Sequence, residues 1–356
     1  MAHILQSIRT LRGCTGASNI VLQLSKELVN RGHKTTVMSR TINSEAVRAV
    51  GAKPVRVSPL LTKSREGWYR AVQRRISQAN ADLVIGHGDL MVQDVLFLHN
   101  MVKATHAALY GTTTCEDSDH GRLHEQILCQ GQWKLVVANS PMMAEELQQR
   151  YAIPPPRILT LMPGIDLRRF CPAAPAQRAG MKQAMGLRPD KFVVGFITSG
   201  SFRKRGLDQF AQTVAQLAVP VQLLIVGRDE PGPYLRGLDY VHHRQLAQVA
   251  QAYYATDVML HTAYYEEFGM VVAEAMACGT PVITSRQVGA SALLPALPLP
   301  ARPDPDAFAQ LLNRLLTEPD DYRHWQQQGL QAVQALSWQA YAEKFVQALP
   351  QLGFAL

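Results

Sequence analysis

Two glutamates eight positions apart, Glu266 and Glu274, bracket the run EEFGMVVAE, which continues into AMACGTPVITS. Residues ATDVMLHTAYYEEFGM have the pattern of a strand and a loop. VVAEAMACG follows as a helix closing at Gly279, with Pro281 just beyond it, and PVITS as the next buried strand. One carboxylate therefore stands in the loop before a helix and a second about a turn further in. The helix start between them carries about half a positive charge and several unpaired N–H donors, which suits a phosphate. The two carboxylates can accept hydrogen bonds from hydroxyls on either side of that phosphate. A diphosphate flanked by two polyols is a nucleotide sugar. The plainer alternative is a solvent-facing Glu266 with Glu274 in an ion pair.

With FG after the first acid and an EAMACGTPV-like continuation, the run resembles the signature of retaining glycosyltransferases of family 4, enzymes of the GT-B fold. The resemblance implies that Glu266 contacts the donor sugar, that the amides of Gly269, Met270 and Val271 hold the diphosphate, and that Glu274 holds the ribose. SGSFRKRGLDQF places Arg203, Lys204 and Arg205 in tandem before Gly206. The family's basic residue at this glycine contacts the donor phosphates, so Arg205 inherits that role and Lys204 is the second candidate. Arginine offers a bidentate fork where lysine offers a point charge. The family's further arginine after the strand is absent, and Ser199 stands there instead. Gly227 and Arg228 in VGRDEPGPY fall where the family holds the base, and His243 after DYVHH is a further candidate for approaching it.

In DLVIGHGDLMVQDVLFLHN, His87 and His99 end two consecutive strands, at the edge where open α/β sheets bind ligands. The resemblance implies that His99, with Asn100 beside it, lies against the transferred sugar and its phosphate from across a cleft. TGASNIVLQLSKELVNRGHKTTVMS resembles the family's glycine loop and first helix, although Thr15 replaces the first glycine and only Gly16 remains. Ser18 is the expected N-cap of that helix and Gly32 its end. Asp117-Ser118-Asp119, with His120 and His124 four apart, and Asp304-Pro305-Asp306 invite a metal site. Neither Asp-x-Asp ends a buried strand, as the metal-dependent GT-A fold requires, so no catalytic metal and no cofactor beyond the donor is expected.

These residues need a scaffold of two doubly wound α/β domains. Short apolar strands alternate with amphipathic helices, and 356 residues at 47% hydrophobic content suffice for two cores. HILQSI, KTTVMS, KPVRVS, DLVIGH, DVLFLH, KLVVANS and RILTLMPG form one strand series, and FVVGFITS, VQLLIVG, VMLHTA, PVITS and LPLPA a second. RRFCPAAPAQRAG is the expected linker. The expected domains are 1–168 on the acceptor side and 169–335 on the nucleotide-sugar side, with 336–356, containing LSWQAYAEKFV, crossing back as a helix.

Five scattered cysteines (Cys14, Cys115, Cys129, Cys171, Cys278) argue against a disulfide framework, and no 18-residue apolar run occurs, so a cytoplasmic protein is expected. The net charge of +8 lies in the first half, where residues 1–170 hold 21 Lys+Arg against 13 Asp+Glu and the remainder holds 15 against 15. The densest basic stretch, Lys53 to Arg75, contains Trp68 and Tyr69 within a helical pattern, a combination that suits a lipid headgroup surface and equally a solvated helix with core aromatics. A basic half can attract nucleic acid, anionic lipid or a phosphorylated substrate. No nucleic-acid module is recognisable. The pattern is closest to bacterial lipopolysaccharide-core glucosyltransferases, which implies a UDP-hexose donor, an anionic saccharide or glycolipid acceptor and a peripheral position on the inner membrane. An epimerase or phosphorylase on the same fold, and a non-enzymatic binder of nucleic acid or anionic lipid, are the alternatives.

Overall fold

The computed structural model describes residues 1–12, 15–58, 64–114 and 118–354. The chain forms two compact units, Met1–Gly164 with Trp338–Leu356, and Ile165–Ser337.

Unit 1 contains strands β1 (His3–Ser7), β2 (Thr10–Leu11), β3 (Lys34–Ser39), β4 (Thr41–Ile42), β5 (Lys53–Arg56), β6 (Leu83–Gly86), β7 (Val95–Phe97), β8 (Leu135–Ala138) and β9 (Ile158–Thr160). Helices α1 (Gly16–Asn30), α2 (Ser44–Ala49), α3 (Arg65–Gln78), α4 (Val102–Tyr110), α5 (Asp119–Gln130) and α6 (Pro141–Tyr151) connect them. Seven strands pair in the order β5-β3-β1-β6-β7-β8-β9, and every ladder is parallel. The middle strands LVIG, VLF and LVVA are buried throughout, as a parallel sheet covered by helices on both faces demands.

Unit 2 contains α7 (Pro175–Ala184), β10 (Val193–Ile197), α8 (Leu207–Val214), β11 (Gln222–Val226), β12 (Tyr240–His243), α9 (Ala250–Ala255), β13 (Val258–His261), α10 (Met270–Ala277), β14 (Val282–Thr284), α11 (Pro305–Thr317) and α12 (Pro319–Val333). Its parallel sheet has the order β12-β11-β10-β13-β14. The last helix, α13 (Trp338–Ala348), returns to unit 1 and packs on α1. Its Phe345 is fully buried and meets Phe97 edge-on, with ring centroids 5.3 Å apart.

Each sheet grows outward in two directions from one place. In unit 1 the chain moves from β1 to β3 and β5 on one side and from β6 to β9 on the other. In unit 2 it moves from β10 to β11 and β12, then from β13 to β14. In unit 1 the loops leaving the two central strands line a crevice at the carboxyl edge, where doubly wound sheets bind ligands.

Several local expectations are corrected. The N-cap of α1 is Thr15, whose Oγ1 accepts from the Ser18 N–H at 3.2 Å, so Ser18 is already the third helical residue. LPLPA (297–301) forms no strand; Pro298 and Pro300 lack the N–H donors a ladder needs. The Pro/Ala-rich stretch 168–180 is no free linker, because Pro175 opens α7 inside unit 2, while the chain changes unit at Gly164–Ile165. Asp304 is the N-cap of α11, accepting from the N–H groups of Asp306 and Ala307. Ser118 caps α5, and Asp119 lies in its first turn. Cys14, Cys115 and Asp117 lie outside the described residues.

Among the described residues no helix is long and apolar enough to cross a membrane. Trp68 faces inward from α3 and is fully buried with Leu5, Met38, Val57, Val72, Val84 and Leu90, and Tyr69 packs against this cluster. The aromatic pair supports the sheet, and Arg70, Arg74 and Arg75 are among the residues α3 exposes. Trp68→Ala is expected to cost about 3–5 kcal/mol in urea unfolding. A folded variant of native stability that loses affinity for anionic vesicles would instead make Trp68 a membrane anchor.

Candidate functional site

Parallel pairing of β10 with β13 (Val194 opposite Val258, Gly195 opposite Met259) brings the loops that follow them together. Two glycines allow the approach. Gly206 holds φ +71° at the N-cap of α8, and a side chain there would place Cβ 2.2 Å from the Thr262 carbonyl oxygen. Gly269 holds φ +93° at the N-cap of α10. The loops are then stitched: Thr262 Oγ1 donates to the carbonyls of Arg205 (3.1 Å) and Gly206 (2.7 Å), and the Tyr264 N–H to that of Lys204 (3.3 Å). On its far side the Glu266 loop is pinned to the segment after β14. The Glu266 N–H donates to Gln287, while Gly289 and Ala290 N–H donate to the carbonyls of Glu266 and Phe268.

This framework brings the cation of one loop onto the carboxylate of the other. Arg205 Nη1 lies 2.6 Å from Glu266 Oε2, with the side chains only 16% and 13% exposed. His261, at the end of β13, sits 3.5 Å from the same oxygen, and Lys204 Nζ lies 3.6 Å from Glu267 Oε2. Arg205 Nη1, Glu266 Oε2 and His261 Nε2 are all buried at ion-pair reach, yet no hydrogen-bond alignment is met among them. Burial alone would favour the neutral acid. The Arg205 cation, then His261 and Lys204, outweigh it and hold Glu266 down to about 2. Glu266 is therefore a charged acceptor with lone pairs to spare.

Glu274 lies along α10, whose N-cap glycine offers no side chain to the first helical N–H groups. Its Oε2 accepts from the Tyr253 hydroxyl of α9 at 2.7 Å. Burial pushes this carboxyl up to about 7, against the opposing pull of Tyr253 and Arg169. Two carboxylates around one helix start are thus poised differently: one is always charged, the other titrates near neutrality.

The remaining candidates of unit 2 flank β11 and β12. A Cβ on Gly227 would meet the Phe202 ring at 2.2 Å, and Arg228 beside it is exposed. His242 Nε2 lies 2.9 Å from the Gly227 carbonyl, whereas His243 is turned to the Met185 carbonyl at 3.1 Å. The sequence reading missed His261, Tyr253 and His242. A histidine closing a buried strand was the available signal for the first, but nothing local marks Tyr253 as the partner of Glu274.

In unit 1 the corresponding crevice is a cavity of about 190 Å³ between the loops after β1 and β6. Arg9, Arg65, Asp89, His87, His99 and His120 are among its lining residues. Asp89 is pushed up by burial and held by Arg65 (2.8 Å) and the Arg9 N–H (3.2 Å). His87 and His99 meet side by side, Nδ1 to Nε2, at 2.9 Å. Asn100 is exposed, and its carbonyl holds the buried His124 at 2.8 Å. Gly16 is exposed at the first position of α1.

Removing the cation should expose what it does. Arg205→Met leaves a buried carboxylate unpaired, and about 3–5 kcal/mol of stability should be lost near neutral pH. In the native protein the depressed Glu266 contributes stability that is present above its unfolded pKa near 4.5 and is lost as pH falls toward about 2. In the variant burial raises that pKa, so the deficit should shrink on acidification as the acid takes its proton. Urea unfolding at about pH 7 and pH 4 tests this; a deficit independent of pH would show that Arg205 does not hold the charge of Glu266.

Residues 15–169 match the family described as Glycosyltransferase Family 4, and residues 191–318 the family described as Glycosyl transferases group 1. A D-inositol 3-phosphate glycosyltransferase of Xylanimonas cellulosilytica is 27% identical, covering 77% of this chain and 76% of its own. The lipopolysaccharide glucosyltransferase WaaG of Escherichia coli is 24% identical over 77% of this chain and 78% of its own. Among solved structures, WaaG superposes with a TM-score of 0.78 at 19% identity, covering 98% of this chain and 99% of that one. Anabaena HepE in complex with UDP and glucose gives 0.75 at 18% identity, covering 99% and 100%. With a Glycosyltransferase Family 4 region in its first half, a group 1 region in its second and two Rossmann-like units, the chain belongs to the family 4 glycosyltransferases of the GT-B fold.

Proposed function

We propose that the protein transfers a hexose from a UDP-sugar to a hydroxyl of an anionic saccharide or glycolipid, with retention of anomeric configuration and without a cofactor. The observation that carries the reading is the buried Arg205–Glu266–His261 cluster beside the open N-terminus of α10. Negative charge grows on the leaving diphosphate during transfer, and preorganised donors aimed at it are the main catalytic resource. Arg205, Lys204 and the Gly269, Met270 and Val271 amides supply that positive field, the work a divalent cation does elsewhere. Ionised Glu266 accepts from hydroxyls of the donor sugar, and Glu274 from those of the ribose. Gly227, Arg228 and His243 are assigned to the side of the base, and His99 and Gly16 to the substrate from unit 1. HepE crystallised with UDP-glucose supports a UDP-hexose, and WaaG, named a lipopolysaccharide glucosyltransferase, supports a transferred hexose. The positive excess of the first half supports an anionic acceptor, and a cytoplasmic protein resting on the inner membrane is the matching location.

The test is a thermal-shift screen of UDP-, GDP- and ADP-sugars, followed by product analysis with an acceptor. A new glycosidic bond of retained configuration is expected; turnover that isomerises the donor, or that releases a sugar phosphate, would overturn the transfer reading. Glu266→Ala and Glu274→Ala should each lower donor turnover about a hundredfold or more with the fold intact. Unchanged turnover in both would dismiss the assigned site.

Glu274 adds a pH signature. Its raised pKa means that its contribution to the stability of the empty protein is complete below about 4.5 and is lost as pH rises through about 7. Ribose hydroxyls donate more strongly to the ionised carboxylate than to the neutral acid, so UDP affinity should run the other way and weaken as pH falls below about 7. Calorimetric titration of UDP between about pH 6 and 8 reads this slope. Glu274→Gln should bind more weakly and without it, and a native affinity flat across that range would refute the ribose assignment.

A further inference from the structure

His87 and His99 belong to a hydrogen-bonded chain whose direction follows atom by atom. Gln6, fully buried in β1, has its amide nitrogen 2.8 Å from Ser25 Oγ and 3.4 Å from the Val21 carbonyl of α1. A carbonyl only accepts, so Gln6 turns its NH₂ toward α1 and its Oε1 toward His87. That oxygen lies 3.0 Å from His87 Nε2, which must therefore be the donor. Burial, then the neighbouring His99, keep His87 well below its ordinary pKa and so neutral. A neutral ring with its proton on Nε2 presents a lone pair on Nδ1. His99 Nε2, 2.9 Å away, must donate to that lone pair. Burial lowers His99 to about 4, so it too is neutral, and its own lone pair falls on Nδ1. That atom is buried and has no partner among the described residues, on a ring that forms part of the cavity wall.

We propose that His87 is a positioning residue that, held by Gln6, locks His99 in the Nε2–H tautomer so that Nδ1 accepts a hydrogen bond from a substrate hydroxyl. The inference rests on the assignment of His99 to the substrate, and it narrows it. With its Nε2 proton committed to His87 and only a lone pair on Nδ1, a neutral His99 cannot donate to a phosphate oxygen, so of the two partners implied for His99 by family resemblance, sugar and phosphate, only the sugar is compatible. The discrimination is severe, because a buried acceptor left facing another acceptor loses its hydrogen bond entirely.

The experiment is long-range ¹H–¹⁵N correlation of the histidine rings in the uniformly labelled full chain, native and with two substitutions at His87. Native His99 should show an unprotonated Nδ1 and a protonated Nε2 near neutral pH, and Nδ1 should shift on saturation with the UDP-sugar and acceptor. His87→Phe removes the acceptor while keeping a flat ring, and His99 should become a mixture of tautomers with KM raised about three- to tenfold. His87→Asn returns an oxygen to the place of Nδ1 and should restore the native ring signature and KM. A proton on His99 Nδ1 in the native protein, or a His87→Phe spectrum identical to native, overturns the lock; if His87→Phe does not fold, the native and His87→Asn spectra decide. A native tautomer that no substrate perturbs overturns the hydroxyl contact. The ring spectra need no turnover, so a protein showing the expected tautomer but forming no glycosidic bond would defeat the proposed function and leave the lock standing.

Discussion

A carboxylate removed from water must either take a proton or find a cation, and unit 2 is arranged around the second outcome. Glu266 keeps its charge because Arg205 is 2.6 Å away, although the two are 61 residues apart in sequence and lie on different loops. Those loops can touch only where the sheet reverses its order of growth, and only if the chain turns sharply into α8 and α10. Gly206 and Gly269 make those turns, and Thr262 fixes the spacing between the loops through two backbone carbonyls. Charge, glycine and strand order are one constraint seen at three scales.

The two carboxylates show how much the surroundings decide. Glu266 and Glu274 are the same side chain on either side of one helix start, and burial works against ionisation in both. A guanidinium in direct contact overcomes it for the first, holding the acid near 2. The second has mainly a phenolic hydroxyl as its partner and rises to about 7. A neutral donor stabilises a carboxylate far less than a formal charge in contact, so a shared residue type yields a permanent anion and a titrating group.

Unit 1 repeats the topological solution with a different currency. Its crevice also opens where strand order reverses, between the loops after β1 and β6. There His87 and His99 are kept neutral by burial, and direction is carried by hydrogen-bond polarity, from a backbone carbonyl of α1 through Gln6 and His87 to His99. Such a chain keeps one orientation through the mutual hydrogen bonds of its buried members, among them the wholly buried Gln6 and Ser25.

Much of this was written in the local sequence. Alternating apolar strands and amphipathic helices announced two parallel α/β units, since a strand covered on both faces must be a continuous apolar run, and LVIG, LVVA and QLLIV are buried as such. The spacing of Glu266 and Glu274 around a helix start was equally legible, because helix geometry relates residues one or two turns apart. Local signals failed where two of them competed, as when Thr15 took the capping role expected of Ser18, or where proline spoiled an apolar run, as in LPLPA. What only the tertiary structure decided are the pairings of residues far apart in the chain: Arg205 with Glu266, His261 with the same carboxylate, Tyr253 with Glu274, Gln6 with His87. The sequence determined which groups were available to ionise or to donate. Which of them are charged, and which way their protons point, depended on burial and on neighbours contributed by other strands, and these exist only once the sheets have formed.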